Sequence, residues 1–166
     1  MHSDERGSFV EIFRDEWELP VQPVQWNAVR SEAGTLRGVH VHVTHDDYLI
    51  VVGGSAAIGL RDMRPDSPTD GLATTVELDA DEPSALVIPV GVAHGFYFHE
   101  RSMHIYAVTE YWDPRDELAC RWDDSELGIA WPAPPRLLSD RDRDAPSYVS
   151  MRDAFLSGFG AIHAHS

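Results

Sequence analysis

The chain has 166 residues, with 28 acidic and 13 basic side chains and a formal charge of −15. This length suits one domain with a sizeable core, and the charge argues against nucleic acid or an anionic membrane as a partner. All thirteen basic side chains are arginine, which excludes Schiff-base chemistry and a lysine-based phosphate loop but leaves the residue best suited to bidentate phosphate contacts.

Short β-type runs separated by turn signals dominate. In chain order they are predicted over Ser8–Arg14, Val24–Val29, Thr35–His42, Tyr48–Val52, Ala56–Met63, Ala73–Leu78, Ala85–Ile88, Gly95–His99 and Met103–Thr109. Gly53-Gly54, the stretch from Pro65 to Gly71, and Asp81-Glu82-Pro83 mark turns. Many short strands with frequent turns imply a sandwich or barrel. Tyr48–Val52 is continuously apolar, as expected of a strand buried on both faces. Ser147–Phe155 has helical spacing with Ser147 as N-cap, placing Val149, Met151 or Arg152, and Phe155 near one stripe. Residues 158–166 are expected to fray, with His163 and His165 outside any site. No run of about 18 apolar residues marks a membrane span, and Met1–Arg6 lacks the apolar stretch of a signal peptide. The single Cys120 cannot close an internal disulfide, so a reducing cytoplasm is expected, with Cys120 packed as a small residue.

Two kinds of chemistry fit the histidines. Alternation on a strand puts His40 and His42 on one face. Gly34-x5-His40-x-His42-x4-Asp47-x6-Gly54 with Pro89-x-Gly91-x2-His94 resembles the two cupin motifs, with Asp for the usual Glu and Phe98 at the usual terminal Asn. In that reading His40, His42, Asp47 and His94 hold a divalent metal in an isomerase or oxygenase. Alternatively, His40 is a metal-free general base, tuned by a carboxylate and opposed by a tyrosine acid, with Arg37 nearby for an anion.

A longer series of motifs runs from Asp4 to Pro146. It comprises Asp4-x-Arg6-Gly7-x-Phe9-x-Glu11, Gln25-x-Asn27, Gly34-x-Leu36-Arg37-Gly38-x-His40, Asp62-x-Arg64-x2-Ser67-Pro68-Thr69-x-Gly71 and Ile88-Pro89-x-Gly91-x-Ala93-His94-Gly95-Phe96. It continues with Tyr106-x7-Pro114-x2-Glu117, Trp122-Asp123-Asp124-x2-Leu127-Gly128-Ile129-x-Trp131-Pro132 and Leu138-Ser139-x-Arg141-Asp142. In this order the series resembles the dTDP-4-dehydrorhamnose 3,5-epimerase family. The resemblance implies an all-β, cupin-type double-stranded β-helix (a jelly-roll barrel) with a short C-terminal helix. It implies a single domain over residues 1–166, with a core at about 4–146 and a helical tail at 147–166.

The resemblance also implies a cofactor-free, metal-free isomerase of deoxysugar biosynthesis. Its substrate is a dTDP-linked 4-keto-6-deoxy sugar, epimerised at C3, C5 or both. His40 is then the base, Asp142 its orienting carboxylate and Tyr106 the acid. Substrate contacts fall to Arg6, Phe9, Glu11, Gln25, Asn27, Arg37, His94, Trp112 and Arg141. Neither nucleic acid nor a membrane is a partner; a homodimer is expected, with the Arg6–Glu11 region completing the partner's site. A relative that binds the nucleotide sugar without turnover is the remaining alternative.

One departure is chemical. The family usually carries a lysine shortly after the base, and Asp47 stands at that position after a loop about three residues shorter. A carboxylate about 4 Å from an enolate costs about 4 kcal/mol at an effective dielectric of about 20. Asp47 is therefore expected to point away, to be protonated or to pair with a cation. His42, His45 or Arg30 is a candidate for the missing charge. His42 stands where the family tends to have a neutral side chain, and Val29 replaces a common hydroxyl residue.

Overall fold

The computed structural model describes residues 1–113 and 116–163. Its elements are β1 (His2–Asp4), β2 (Gly7–Phe9), β3 (Gln25–Ser31), β4 (Leu36–His42), β5 (Asp47–Gly53), β6 (Ser55–Asp62), β7 (Ala73–Asp79), β8 (Ala85–Ile88), β9 (Val92–Phe98), β10 (Ser102–Val108), β11 (Glu117–Ala119), α1 (Asp140–Arg143) and α2 (Tyr148–His163). Strands β1 and β2 form a separate hairpin; the others form a four-stranded sheet, β3-β10-β5-β8, and a five-stranded sheet, β11-β4-β9-β6-β7.

The two sheets share an interior. Leu49 and Val51 of β5, Ala56 and Ile58 of β6, Leu78 of β7 and Phe98 of β9 form one buried cluster, and Phe96 and Tyr106 pack against it. That apolar cluster adjoins a polar cavity. Strand β5 is buried on both faces as expected, because Tyr48 and Ile50 lie beneath Ile12, Phe13, Leu19 and Val21. The outer face of the five-stranded sheet is covered by α2, through Tyr148, Met151 and Phe155 on Val39, Val41, Met63, Ala93, Cys120 and Leu127. Burial, with Asp124 nearby, pushes the Cys120 thiol up to about 12, in keeping with a packed residue.

Three expectations are corrected. The strand expected over Ser8–Arg14 is only Gly7–Phe9, which among the described residues pairs with β1 alone; the later residues leave the hairpin to cover β5. Strand β9 begins at Val92 rather than Gly95. The tail helix does not fray at Gly158 but continues to His163; His165 and the motif residue Pro114 lie outside the described residues. Ser147 does cap α2, its Oγ accepting from the Ser150 N–H at 3.2 Å. The buried stripe is Tyr148, Met151 and Phe155, while Val149 is exposed.

A bulge in β4 sets the site. Gly38 pairs with Gly95 and His40 with His94, so β4 spends one more residue than β9 between these pairs. Period-two alternation would place Arg37 and His40 on opposite faces. The extra residue resets it, so that Arg37, His40 and His42 all line the cavity while Val39 and Val41 stay under α2. Gly38 has φ +112°, and a Cβ there would lie 2.8 Å from Gly95 Cα and 2.9 Å from the His94 carbonyl. Both neighbours are backbone and cannot swing aside. Gly38→Ala is therefore expected to destabilise the chain by about 2–4 kcal/mol, combining overpacking with a strained dihedral. Urea unfolding measures this, and a loss below about 0.5 kcal/mol, the range of an ordinary surface change, contradicts it.

Candidate active site

The cavity has a volume of about 470 Å³ and opens between the two sheets. His40 is held from both sides. Its Nε2 lies 2.9 Å from Asp142 Oδ1 and its Nδ1 2.7 Å from Glu117 Oε1. Burial works against the charged ring, but the hydrogen bonds to Asp142 and Glu117 outweigh it and hold the imidazole up at about 9. His40 is thus an imidazolium at neutral pH, donating from both nitrogens.

The two carboxylates are anchored differently. Asp142 lies in the single turn α1, capped by Ser139 Oγ, which accepts from the Asp142 N–H at 3.0 Å. Asp142 Oδ2 also accepts from the Gly38 N–H at 3.4 Å. Glu117 begins β11 and pairs with His42. Its carboxylate accepts from Arg141 Nη1 at 3.2 Å and Trp112 Nε1 at 3.3 Å, both on exposed side chains. Burial opposes ionisation of both acids, but His40 holds each below its usual range, with Ser139 and Gly38 assisting at Asp142 and Arg141 at Glu117.

Tyr106 faces His40's sheet from the opposite wall, on β10 of the four-stranded sheet. Burial, with the negative charges of Asp47 and Glu117, raises its phenol, so it enters any reaction protonated.

Deeper lies a second group. Asp47 Oδ2 is 3.5 Å from His42 Nε2 and 3.6 Å from His94 Nε2. Burial, then the neighbouring His94 and His45, lowers His42 to about 2; burial lowers His94 to about 4. Burial, then Asp46 and Glu117, raises Asp47 to about 8. Asp47 does not point away, because it lines the cavity. His42 does not supply the missing charge, since its ring is neutral. Arg30 does not supply it either: β3 alternates Val29 toward the cavity and Arg30 toward solvent.

Of the residues singled out from the sequence, Arg37, His40, His94, Tyr106, Trp112, Arg141 and Asp142 line the cavity together. Gln25 and Asn27 do not line it. They share Val29's face on β3 and are joined by a 3.0 Å hydrogen bond, with Gln25 Oε1 accepting from the Trp112 N–H. Arg6, Phe9 and Glu11 lie outside the cavity of their own chain: Arg6 pairs with Asp4, Phe9 is 63% exposed, and Glu11 faces Arg14. The four-ligand set is also corrected, because both nitrogens of His40 are taken by carboxylates.

Sequence reasoning missed Glu117 as a site residue, although it closes the Pro114-x2-Glu117 motif. It also missed His104, which stacks on Phe98 at 5.3 Å and lines the cavity. Period two along Met103–Thr109 puts His104 on Tyr106's face and was the available signal.

The family model described as dTDP-4-dehydrorhamnose 3,5-epimerase matches residues 1–150. The chain belongs to this family. A dTDP-4-dehydrorhamnose 3,5-epimerase of Pseudomonas aeruginosa is 35% identical over 157 residues, covering 88% of this chain and 86% of that one. A dTDP-4-dehydro-6-deoxyglucose 3-epimerase of a Streptomyces species is 33% identical over 162 residues, covering 90% and 82%. The crystal structure of the 3,5-epimerase of Bacillus anthracis, with TDP and pyrophosphate bound, superposes with TM-score 0.81 at 33% identity, covering 87% and 88%. The cupin-type epimerase fold expected from the sequence is therefore the fold of this chain. Among the described residues no helix is long and apolar enough to cross a membrane.

The His40 clamp carries a pH signature. A histidine whose folded value is raised stabilises the fold fully below its ordinary value near 6.5, and that contribution is lost as pH rises through about 9. Glu117→Gln removes one charged acceptor and is expected to bring the His40 titration down toward neutrality. Ring-proton NMR of His40 follows this, and an unchanged titration in the folded variant contradicts the clamp.

Proposed function

We propose that the chain epimerises a dTDP-linked 4-keto-6-deoxy sugar at the carbons flanking the ketone, as a cytoplasmic enzyme of deoxysugar biosynthesis. The observation that carries this reading is the placement of His40 and Tyr106 on opposite walls of one cavity. A ketone at C4 acidifies the adjacent C–H bonds. Inversion needs a base on one face of the sugar and an acid on the other.

The resting clamp leaves His40 no lone pair, so one carboxylate must give way. Asp142 is fixed by a backbone N–H and a capped turn, whereas Glu117 leans on Arg141 and Trp112 at the mouth. Glu117 is the one that moves. A diphosphate at the mouth draws Arg141, with Arg37 beside it, away from the carboxylate. Without Glu117 the imidazolium gives its Nδ1 proton to solvent, and Asp142 keeps the ring oriented through Nε2.

Nδ1 then takes the C–H proton and the electron pair passes to O4 as an enolate. Tyr106 returns its phenol proton to the opposite face of the carbon. Solvent reprotonates Tyr106 and removes the proton from His40, closing the cycle.

We further propose a homodimer, as the sequence resemblance implies, in which the β1–β2 hairpin crosses to the partner. That arrangement gives Arg6, Phe9 and Glu11 a site that their own cavity does not offer them.

Incubation with dTDP-4-keto-6-deoxyglucose in D₂O reads the chemistry directly. Deuterium at C3 alone marks a 3-epimerase, and deuterium at C3 and C5 a 3,5-epimerase. His40→Asn is expected to lower incorporation by about 10³-fold, whereas Tyr106→Phe keeps exchange but loses about 100-fold in inverted product, because His40 then returns the proton to the face it came from. No exchange with any 4-keto-6-deoxy nucleotide sugar overturns the reading. Light scattering is expected to give about twice the single-chain mass of 18.6 kDa; a single-chain mass at assay concentration overturns the dimer.

A further inference from the structure

The deep group of the cavity is unusual in what it lacks. His94 Nδ1 lies 3.0 Å from the Val92 carbonyl and donates to it. Its Nε2 therefore carries a lone pair, and it points toward Asp47 Oδ2 at 3.6 Å. His42 Nε2 approaches the same oxygen at 3.5 Å. Asp47 Oδ2 and His42 Nδ1 are buried and have no hydrogen-bond partner. His94 Nε2 and Asp47 Oδ2 thus face each other, and among the described residues no hydrogen bond reaches that oxygen, a costly arrangement unless a proton or a cation lies between them.

The geometry fits a metal ion. One atom from each of His42, Asp47 and His94 can be chosen so that all three lie within 4.8 Å of one another. An ion about 2.1 Å from each donor sets neighbouring donors about 3.4 Å apart in a tetrahedron, close to the 3.5 and 3.6 Å separations from Asp47. The donor set of two imidazoles and one carboxylate is that of divalent first-row transition metals. The Val92 carbonyl provides the outer hydrogen bond that fixes a ligating histidine's tautomer.

A neighbouring group, His42, His45 and Asp116, also comes within 4.8 Å. It does not compete, because Asp116 is already engaged by the Val43 N–H at 2.9 Å, Thr44 Oγ1 at 2.6 Å and His45 Nδ1 at 2.7 Å.

We infer that His42, Asp47 and His94 form a binding site for a divalent transition-metal cation, whose charge faces the enolate in place of the lysine absent from this chain. The site stands on its own geometry; the catalytic role rests on the epimerase reading. The three ligands line the same cavity as His40 and Tyr106, so a cation there lies beside the reacting sugar. His40 still takes the C–H proton and the electron pair still passes to O4; the cation changes no atom count and offsets the developing charge.

The test is titration of the chelator-stripped full chain with Co²⁺, followed by visible absorption, alongside deuterium exchange on the 4-keto sugar. One Co²⁺ per chain is expected, lost in Asp47→Asn and His42→Gln but kept in His45→Gln, with circular dichroism confirming that each variant is folded. Exchange by the stripped chain is expected to fall about 100-fold and to return with added metal. A folded wild-type chain without saturable binding, or a folded Asp47→Asn that binds as well as wild type, overturns the site and leaves a shared proton on Asp47. Equal exchange in stripped and loaded chains overturns the charge role. No exchange in either form, with the Co²⁺ spectrum intact, supports the site and falls on the epimerase reading instead.

Discussion

The site depends on the close approach of two backbones, Gly38 on β4 and Gly95 on β9. Their contact permits a one-residue bulge, and the bulge decides which side chains share a face. A regular β4 would turn Arg37 away from the cavity that holds His40. With the bulge, an arginine for anionic charge and a titratable imidazole point into the same space, while Val39 and Val41 still complete the core under α2. The freed Gly38 N–H also reaches Asp142, tying the helical turn that carries it to the strand that carries His40. One backbone irregularity thus sets both His40 and the Asp142 carboxylate that holds it.

Burial then sorts the histidines into two roles. His40 has two carboxylates within hydrogen-bonding distance and stays charged despite its surroundings. His42 and His94 are also buried, with the Asp47 carboxylate no closer than 3.5 Å, and desolvation leaves them neutral. A charged imidazole clamped between acids is a resting state, while neutral imidazoles with free lone pairs are ligands. The same residue type serves both ends because the distance to a carboxylate, 2.7–2.9 Å in one case and 3.5–3.6 Å in the other, decides whether a proton is held. The overall charge of −15 does not prevent an anionic substrate from entering, because Arg37 and Arg141 both line the cavity.

The strands of the barrel were legible because they alternate or run apolar, and β5 through β8 and β10 fall close to the expected spans. The hairpin strand was misplaced because the pattern over Ser8–Arg14 records a segment packed on β5, not a strand paired beyond Phe9. Fraying was expected from residue 158 because the apolar stripe read from the sequence ends at Phe155, whereas the helix anchored by Met151 and Phe155 continues to His163. Local pattern could not find Asp142: Leu138–Asp144 looks like a charged surface loop, and only the motif series marks it. Glu117 was harder still. It stands 77 positions from His40 in the chain, and its importance comes from the β11–β4 register, which no local pattern encodes.

The departures from the family pattern make sense together rather than singly. Asp47 alone, in place of a lysine, leaves a buried carboxylate facing a reaction that builds negative charge. His42 alone, in place of a neutral side chain, buries an imidazole with an unpartnered nitrogen. The fold places the two opposite each other across the sheets, 3.5 Å apart, and adds His94 from β9 at nearly the same distance. Each substitution costs desolvation energy that the other does not relieve, since a neutral imidazole and a buried carboxyl at that separation make no hydrogen bond. A divalent cation relieves both at once and restores the sign of charge that a lysine provides. The retained His40, Asp142 and Tyr106 leave the proposed proton path as it was, so the change touches only how the enolate's charge is met.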